Sequence, residues 1–465
     1  MKLYTNFKYF TELSDVAKLF YSDVELTDDV SSADINVIES KQNDVTFYVA
    51  TLGEKSVSQT VVNSSDALTD IRLKKRNAKI ALYNLLKDTT GKSMPWGSLT
   101  GIRPTKLARQ LSREGLDWKQ TFGNVFGVSQ AKVSLTDDIL QQQGDLADVG
   151  ADSADLYVGI PFCVSRCSYC SFTSGEIDRL KKYVEPYVDA LCSDIKQTVQ
   201  FASQRNIRLK NVYFGGGTPT SLTAEQLDKV MSCINFVPCE YTVEAGRPDT
   251  ISAEKLDVLQ AHGVNRISIN PQTFNQSILD TIGRKHTVSD IYTSYELACN
   301  YGFVINMDLI AGLPRETYDM FQFSLNEAVR LNPDNITVHT LALKHGSVLK
   351  ETGYGNSDAD VKRMVEYAHK KLYQSGYMPY YMYRQKYMSD NLENVGFCKP
   401  NTACAYNIGI MEEITNIMAC GTNAISKRIF SSEDRIERSA NAKDVITYIN
   451  RSDDYLAKKF ELFSR

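Results

Sequence analysis

Three cysteines lie within eight residues of this chain, at Cys163, Cys167 and Cys170. Their spacing, C-x-x-x-C-x-x-C, places three soft thiolates on one short loop, which suits an iron–sulfur cluster or a soft metal. A closed tetrahedral zinc site needs four ligands, so zinc would require a remote one such as Cys192 or His262. A 4Fe–4S cluster held by three cysteines keeps one iron open, and that iron can bind a substrate or cofactor.

The composition limits the class of protein. With 465 residues, two or three domains are expected. Hydrophobic residues make up 43% and charged residues 23%, which is typical of a water-soluble globular chain, and the net charge of −4 argues against general nucleic-acid binding. The N-terminus has no secretory apolar segment, and no apolar run reaches about 18 residues, which predicts a reducing, cytoplasmic location without a membrane span.

The middle of the chain alternates short apolar segments with helix signals. The segments are rich in Val, Ile and Tyr, as expected of buried parallel strands. Thr223 and Gln226 form a capping-box pattern, and further helices are predicted to start at Ser252, near Ser289 and near Thr317. Six strand–helix units in series predict an α/β fold with a parallel, barrel-like sheet and helices outside it. The six predicted strands are 156–160, 211–214, 241–244, 266–269, 305–310 and 336–340.

The two ends of the chain have different patterns. A hairpin over 35–40 and 44–51 and a long helix over 68–87 are predicted near the N-terminus, and a polar stretch at 141–153 predicts a linker. After about residue 376 the strand–helix rhythm fades. We therefore predict three domains, which are an N-terminal α+β accessory domain over 1–150, a partial (β/α)6 barrel over 151–375 and a small C-terminal, substrate-covering domain over 376–465.

Polar and glycine motifs directly follow the predicted strands. Three glycines at 215–217 let the backbone approach a ligand closely and expose its N–H groups. Glu244, Gln272 and Asp308 lie at or just after the ends of three further strands, where a bond to loop backbone is the plainer explanation for each alone. Because the carboxyl ends of parallel strands meet at one rim, we predict that these groups share a ligand with the cysteine loop. Arg284 is a candidate cation for a ligand carboxylate.

Together these motifs resemble a known family. The cysteine loop after an apolar strand, followed by GGGTPT and a strand-end glutamate, resembles the radical S-adenosylmethionine (radical SAM) enzymes. Within them, YVGIPFC, GGGTPT, PQTF, IGRKH and DLIAGLP are similar to oxygen-independent coproporphyrinogen III oxidase and its relatives, over roughly residues 155–345. The flanking LTGIRPTKLA and MYRQKYMSDNLENVGF are most similar to the HemZ-type coproporphyrinogen dehydrogenase branch.

The resemblance implies cofactors and the residues that hold them. Cys163, Cys167 and Cys170 would bind three irons of a 4Fe–4S cluster, and S-adenosylmethionine would chelate the fourth. The positions that match contacts to this first S-adenosylmethionine are Tyr157, Tyr169, Gly216 and Glu244. The positions that match contacts to a second molecule are Gly217, Thr218, Gln272, Arg284, Asp308 and Ala342.

The resemblance also implies an activity, which is anaerobic oxidative decarboxylation in haem biosynthesis. A 5′-deoxyadenosyl radical would take a hydrogen atom from a propionate of coproporphyrinogen III, and loss of carbon dioxide and one electron would leave a vinyl group. Two such reactions would give protoporphyrinogen IX, with an electron donor such as flavodoxin or ferredoxin as partner. The candidate cations for this acidic tetrapyrrole are Arg384 and Lys386, with Arg103 and Lys106 as others, and the alternative for them is a solvated basic face.

Three positions depart from the usual pattern of the family. Gly159 stands in place of a histidine, Phe172 in place of a fourth cysteine, and Gln272 follows Asn-Pro where Gly-Val is usual. Two alternatives therefore stay open. One is a haem-binding or haem-trafficking protein on the same fold, with His339 or His345 as an axial ligand. The other is a radical enzyme that opens haem or modifies RNA, although the acidic composition weighs against RNA.

Overall fold

The computed structural model describes residues 1–101, 103–147, 150, 152–172, 174–342, 346–351, 358–385, 392–430 and 435–465. The chain forms two compact units. The first comprises Met1–Asp137 and Arg384–Leu392, and the second comprises Asp138–Tyr383 and Glu393–Arg465. Within the described ranges, no helix is both long enough and apolar enough to cross a membrane.

A five-stranded sheet covered by helices forms the first half of the N-terminal part. Its strands are β1 (Lys2–Thr5), β2 (Glu25–Leu26), β3 (Ile35–Gln42), β4 (Val45–Leu52) and β5 (Lys55–Val62). The order is β2-β1-β3-β4-β5, with β1 parallel to both neighbours and the last three strands antiparallel. The predicted hairpin is thus confirmed, and Asn43 makes its turn with a positive φ of 53°.

In the described residues, α-helices follow or interrupt this sheet. They are α1 (Phe10–Ala17), α2 (Ala67–Thr90), α3 (Pro104–Arg113), α4 (Trp118–Gln120) and α5 (Gln130–Gln143). The long predicted helix is α2, which Asp66 caps by accepting a hydrogen bond from the Thr69 amide and which Gly91 ends in the left-handed conformation. Its apolar face packs on the sheet, where Leu82 and Leu85 meet Ile35 and Val37 in one core. The stretch predicted as a linker begins instead with the last residues of α5.

The second unit contains the six predicted parallel strands in the predicted sequence. They are β6 (Ser153–Ile160), β9 (Arg208–Gly216), β10 (Glu240–Glu244), β11 (Arg266–Ser268), β12 (Val304–Ala311) and β13 (Asn335–Thr340), with a small pair, β7 (Phe162–Cys163) and β8 (Gly175–Glu176), after the first. The six lie side by side in chain order, so each strand–helix–strand crossover joins neighbours. The predicted α/β architecture, a parallel sheet built from strand–helix units in series, is therefore confirmed.

Helices connect these strands or follow the last of them. They are α6 (Lys181–Gln204), α7 (Ala224–Met231), α8 (Ala253–Ala261), α9 (Gln276–Thr281), α10 (Val288–Cys299), α11 (Tyr318–Leu331), α12 (Val348–Glu351) and α13 (Asp358–Gln374). The capping box of α7 forms as predicted between Thr223 and Gln226. Helix α8 begins after Ser252, as predicted, but Ser252 makes no side-chain capping hydrogen bond. Helix α10 begins at Val288, just before the predicted start near Ser289, because Thr287 is its cap.

The C-terminal segment extends the same sheet instead of forming a separate body. Its elements are β14 (Met378–Tyr383), β15 (Asn394–Cys398), α14 (Ala405–Glu412), β16 (Asn416–Cys420), β17 (Ile425–Phe430), β18 (Arg435–Ala440) and α15 (Val445–Ser464). β15 pairs with β13 at one edge, and β16 pairs in parallel with β6 at the other. The boundary predicted near residue 376 therefore has no counterpart in the described residues, because backbone hydrogen bonds carry the sheet across it.

Candidate active site

The cysteine loop lies at the carboxyl end of β6. Cys163 closes the short strand β7, and the Thr218 hydroxyl donates to its sulfur at 3.5 Å. The Ser168 amide bonds to the carbonyl of Ile282 at 3.0 Å, which ties the loop to the segment before Arg284. All three cysteines are free thiols, and burial raises the pKa of Cys170 to about 11. Iron binding would have to displace that proton.

Arg284 lies buried beneath this loop. Its guanidinium donates to the carbonyls of Asn270 and Gly246 and contacts the Cys167 sulfur. Tyr169 also hydrogen-bonds to Cys167, and burial raises the pKa of its phenol well above the ordinary value. The structure therefore brings Arg284 and Tyr169 to the cysteines and gives the loop a fixed cation.

The glycine turn presses the end of β9 against the cysteine strand. The Gly217 amide bonds to the Ile160 carbonyl at 2.7 Å, and the Thr218 amide bonds to the Phe162 carbonyl at 2.8 Å. A Cβ on Gly217 would lie 2.5 Å from the Phe162 oxygen, and Gly216 has a φ of +105°. Side chains would therefore push the two strands apart, which explains the glycines physically.

Glu244 ends β10 beside this turn. Tyr213 donates to one of its carboxylate oxygens at 2.5 Å, and the Gly216 amide also bonds to it. Burial raises the pKa of Glu244 to about 7, with the Asp308 carboxylate adding to the rise and the Tyr213 hydrogen bond opposing it. The site thus holds a carboxylate whose ionisation a nearby cation would favour.

Asp308 in β12 is the second carboxylate of the rim. Burial alone would raise its pKa, but hydrogen bonds from His339, Asn306 and Thr337 bring the pKa below the ordinary value. The Asn306 amide donates at 2.7 Å, and the His339 Nε2 lies 3.6 Å from the other oxygen. The second His339 nitrogen, Nδ1, lies 3.2 Å from the Tyr383 hydroxyl. Asp308 is therefore held ionised between a histidine and an amide.

Gln272 and Ala342 complete the predicted rim. Gln272 bridges to β12, since its amide bonds to the Asp308 carbonyl at 2.9 Å. It does so with a φ of +68°, which is unusual for a residue with a side chain. Ala342 follows the end of β13, near Ala311, whose carbonyl bonds to the Leu341 amide.

Several polar atoms beside the cysteine loop have no hydrogen-bond partner within the described part of the chain. They include the side-chain oxygens of Gln272 and Asn270 and the Nε of Arg284. Buried polar groups are normally paired, so these atoms fit a site that a polar ligand fills.

No three His, Cys, Asp or Glu side chains among the described residues are arranged to hold one metal ion. In a cluster, by contrast, each thiolate binds its own iron.

Other predicted residues lie elsewhere. Arg384 belongs to the first unit, where it is buried over the Trp96 ring at 5.0 Å and donates to the Leu99 carbonyl. Arg103 precedes α3 in the same unit, and Lys106 is within that helix. Phe172 is 64% exposed. Lys386 and His345 lie outside the described residues.

Three tyrosines that sequence reasoning did not group form a stack inside the second unit. Tyr157 and Tyr213 occupy paired positions of β6 and β9, and the ring of Tyr213 lies 4.2 Å from that of Tyr406. The register could have revealed the first pair, whereas Tyr406 comes from α14, far along the chain. Gly159, at the departure from the family pattern, faces the end of β16 and the turn after it, where a Cβ would lie 3.2 Å from the Thr422 carbonyl.

Comparison with known proteins gives consistent matches. Residues 157–328 match the family model of the Radical SAM superfamily. Over 97% of its length the chain is 36% identical to the oxygen-independent coproporphyrinogen-III oxidase-like protein HemZ of Bacillus subtilis (strain 168), and it covers 94% of that protein. It is 40% identical to the heme chaperone HemW of the same organism over 41% of this chain and 51% of that protein. The structure resembles coproporphyrinogen III oxidase (HemN) from Escherichia coli, a radical SAM enzyme, with a TM-score of 0.51 and 26% identity over 67% of this chain and 72% of that chain.

Proposed function

Because the chain belongs to the radical SAM superfamily, in its HemZ-like coproporphyrinogen oxidase family, we propose that it decarboxylates coproporphyrinogen III. The reaction is the anaerobic conversion of two propionates to vinyl groups, which yields protoporphyrinogen IX. The observation that carries the proposal is the meeting of the cysteine loop, the glycine turn and two carboxylates, Glu244 at the end of β10 and Asp308 within β12. Likeness to HemZ over nearly the whole chain favours this activity over others on the fold.

The family uses a 4Fe–4S cluster and S-adenosylmethionine, and the rim residues suit both. When bound, these cofactors supply a 5′-deoxyadenosyl radical. We assign the cluster to Cys163, Cys167 and Cys170. We assign the first S-adenosylmethionine to Tyr157, Tyr169, Gly216 and Glu244, and a second to Gly217, Thr218, Gln272, Arg284, Asp308 and Ala342.

Charge supports this assignment. S-adenosylmethionine carries a sulfonium and an ammonium group, and Glu244 and Asp308 supply carboxylates at the rim. Arg284 supplies the fixed cation for a methionine carboxylate, and its Nε has no hydrogen-bond partner among the described residues. The protein's part is therefore to hold and orient these charged groups beside the cysteine loop.

The substrate loses a hydrogen atom, carbon dioxide and one electron from each propionate. An electron donor such as flavodoxin or ferredoxin would reduce the cluster. The residues that receive the tetrapyrrole stay a proposal, with Arg384 and Lys386 as candidates. Within the first unit, the Arg384 guanidinium lies over the Trp96 ring and donates a hydrogen bond to the Leu99 carbonyl.

The test is an anaerobic assay of the reconstituted protein with S-adenosylmethionine, a reductant and coproporphyrinogen III. Mass spectrometry follows 5′-deoxyadenosine and the tetrapyrrole together. Loss of two carboxyl groups, absent in Cys167→Ser and kept in a Cys239→Ser control at an exposed cysteine, supports the proposal. Formation of 5′-deoxyadenosine with an unchanged tetrapyrrole contradicts it.

A second candidate is haem binding on the same fold. The identity with a heme chaperone over part of the chain favours it, as does the pairing of His339 with Tyr383 at 3.2 Å. An imidazole beside a phenol suits a ferric iron, for which tyrosine is a known axial ligand. A haem-dependent Soret band that is lost in Tyr383→Phe or His339→Ala would support haem binding. Degradation products of added haem would instead indicate a radical enzyme that opens the haem ring.

A further inference from the structure

Two cysteines outside the candidate active site lie together on the outer helices. Cys192 is in α6, and Cys233 follows the end of α7. Both sulfurs lie within hydrogen-bond distance of the same acceptor, the carbonyl oxygen of Lys229, at 3.6 and 3.3 Å. The side chains are 6% and 5% exposed. The shared acceptor places the two sulfurs next to each other at a helix–helix contact.

The surroundings make the two thiols unequal. A hydrogen bond from Cys192 lowers the pKa of Cys233 to about 7, against the effect of burial and helped by Lys196 and Lys229. The same pairing and burial raise the pKa of Cys192 far above its ordinary value. The adjacency of the two sulfurs is the geometry that an attacking and a resolving cysteine need, and the difference in pKa makes Cys233 the attacking one.

We propose that Cys192 and Cys233 form a peroxide-reactive dithiol that closes to an intramolecular disulfide between α6 and the end of α7. The oxidant is a hydroperoxide. The Cys233 thiolate attacks one peroxide oxygen, the O–O bond breaks, and a sulfenic acid and a hydroxide result. The Cys192 sulfur then attacks the sulfenic sulfur, the S–O bond breaks, and the thiol proton leaves with the oxygen as water.

The reaction balances without a further reactant. With hydrogen peroxide, two thiols and one peroxide give one disulfide and two waters, so the sulfurs lose the two electrons that the peroxide gains. The disulfide would close a loop over 192–233, which contains β9 and the glycine turn at 215–217. The oxidation would therefore tie together the outer helices on either side of the strand that leads to the rim. This inference does not rest on the proposed decarboxylation.

The test treats the full-length reconstituted protein with substoichiometric hydrogen peroxide, followed by thiol alkylation and peptide mass spectrometry. Cys239 and Cys299 are exposed single thiols and act as internal controls. At pH 7 we expect the Cys192–Cys233 disulfide to form before either control thiol is oxidised, because the neighbouring sulfur resolves the sulfenic acid at once. A chain in which all three loop cysteines are changed to alanine repeats the measurement without cluster iron.

Two further measurements make the outcome decisive. In Cys192→Ser, a sulfenic acid should accumulate on Cys233 and react with a dimedone probe. On the unmodified chain, which needs no refolding, the alkylation rate of Cys233 should have its midpoint near pH 7. Earlier oxidation of Cys239 or Cys299, or peroxide-treated chains that keep Cys192 and Cys233 reduced, would overturn the proposal.

Discussion

Tyr213 and Glu244 are joined across neighbouring strands by a hydrogen bond of 2.5 Å. Thr242 of β10 pairs with Tyr213 of β9, so the phenol reaches forward to the carboxylate at the strand end. The phenol ring stacks in turn on Tyr406 at 4.2 Å. The stack holds the Tyr213 hydroxyl in place. Its hydrogen bond lowers the pKa of Glu244 and so opposes burial, which raises that pKa to about 7.

Tyr213→Phe should shift the pH dependence of cofactor binding upward. Loss of a hydrogen bond to a charged group, worth about 1.5–3 kcal/mol, should raise the pKa of Glu244 by about one to two units. Affinity for S-adenosylmethionine at pH 7 should fall and recover at higher pH. Calorimetric titration across pH measures this. Tyr241→Phe is the matched control, since the Tyr241 hydroxyl has no partner among the described residues, and an equal shift in both variants would refute the role of Tyr213.

Glu244→Gln should separate stability from function. The pKa of Glu244 is raised from 4.5 to about 7, so the folded chain binds more protons than the unfolded chain in that window, and stability falls as pH rises through it. At pH 8 the free energy of unfolding of the variant should therefore exceed that of the parent by on the order of 2 kcal/mol, and the variant should unfold at a higher temperature. At pH 4.5 the two should differ little. The variant should also lose affinity for S-adenosylmethionine. Thermal scans of the ligand-free chain at both pH values test this.

The control for that comparison is Glu254→Gln at an exposed position of α8. Its unfolding temperature should equal that of the parent at both pH values, because folding does not remove an exposed carboxylate from water. If Glu244→Gln were no more stable than the parent at pH 8, the carboxylate would have to be solvated in the ligand-free protein.

The parallel strands could be predicted because each is a short apolar run bounded by helix caps. The pairing of β16 with β6 could not, since nothing local marks the five residues Asn416–Cys420 as the neighbour of a strand far earlier in the chain. Long-range pairing depends on which edges remain open after the other strands have packed, and that information is not local.

The candidate site shows the same division. Cys163, Glu244 and Asp308 could be placed on one rim because topology sends the carboxyl ends of parallel strands to one side. The partnership of Asp308 with His339 was missed, although the two strands are adjacent, because one histidine in a strand is no signal of a charge partner. The contacts of Arg384 with Trp96 were missed because they join segments far apart in sequence.

Gln272→Gly and Gln272→Ala should separate backbone strain from side-chain function. Gln272 has a φ of +68°, which glycine adopts freely and alanine adopts at a cost of about 1 kcal/mol. The glycine variant should therefore be the more stable of the two. Both lack the amide whose oxygen has no partner in the described residues, so both should bind S-adenosylmethionine about tenfold more weakly than the parent. Unfolding midpoints and titrations compare them, and restored binding in the glycine variant would show that only the backbone matters.

Lys79→Met should stabilise the first unit. Burial lowers the pKa of Lys79 from 10.5 to about 8, so the unfolded chain binds more protons in that window and stability rises with pH through it. The ammonium lies 3.8 Å from Glu12, which Lys75 approaches more closely at 3.1 Å. Replacing the buried charge with an apolar side chain of similar length should raise stability at pH 7 by about 1–2 kcal/mol, and this gain should shrink toward pH 10.

The matched control for this gain is Lys75→Met, which removes a lysine on the same helix whose side chain is 31% exposed. Its effect should stay within about 0.5 kcal/mol, because an exposed ion pair contributes little. Urea unfolding of the full chain, monitored by the fluorescence of Trp96 and Trp118 in the first unit, reports on both variants. A loss of stability in Lys79→Met would mean that the Glu12 pair outweighs the desolvation of the ammonium, and the measured pKa of Lys79 would then have to lie above 8.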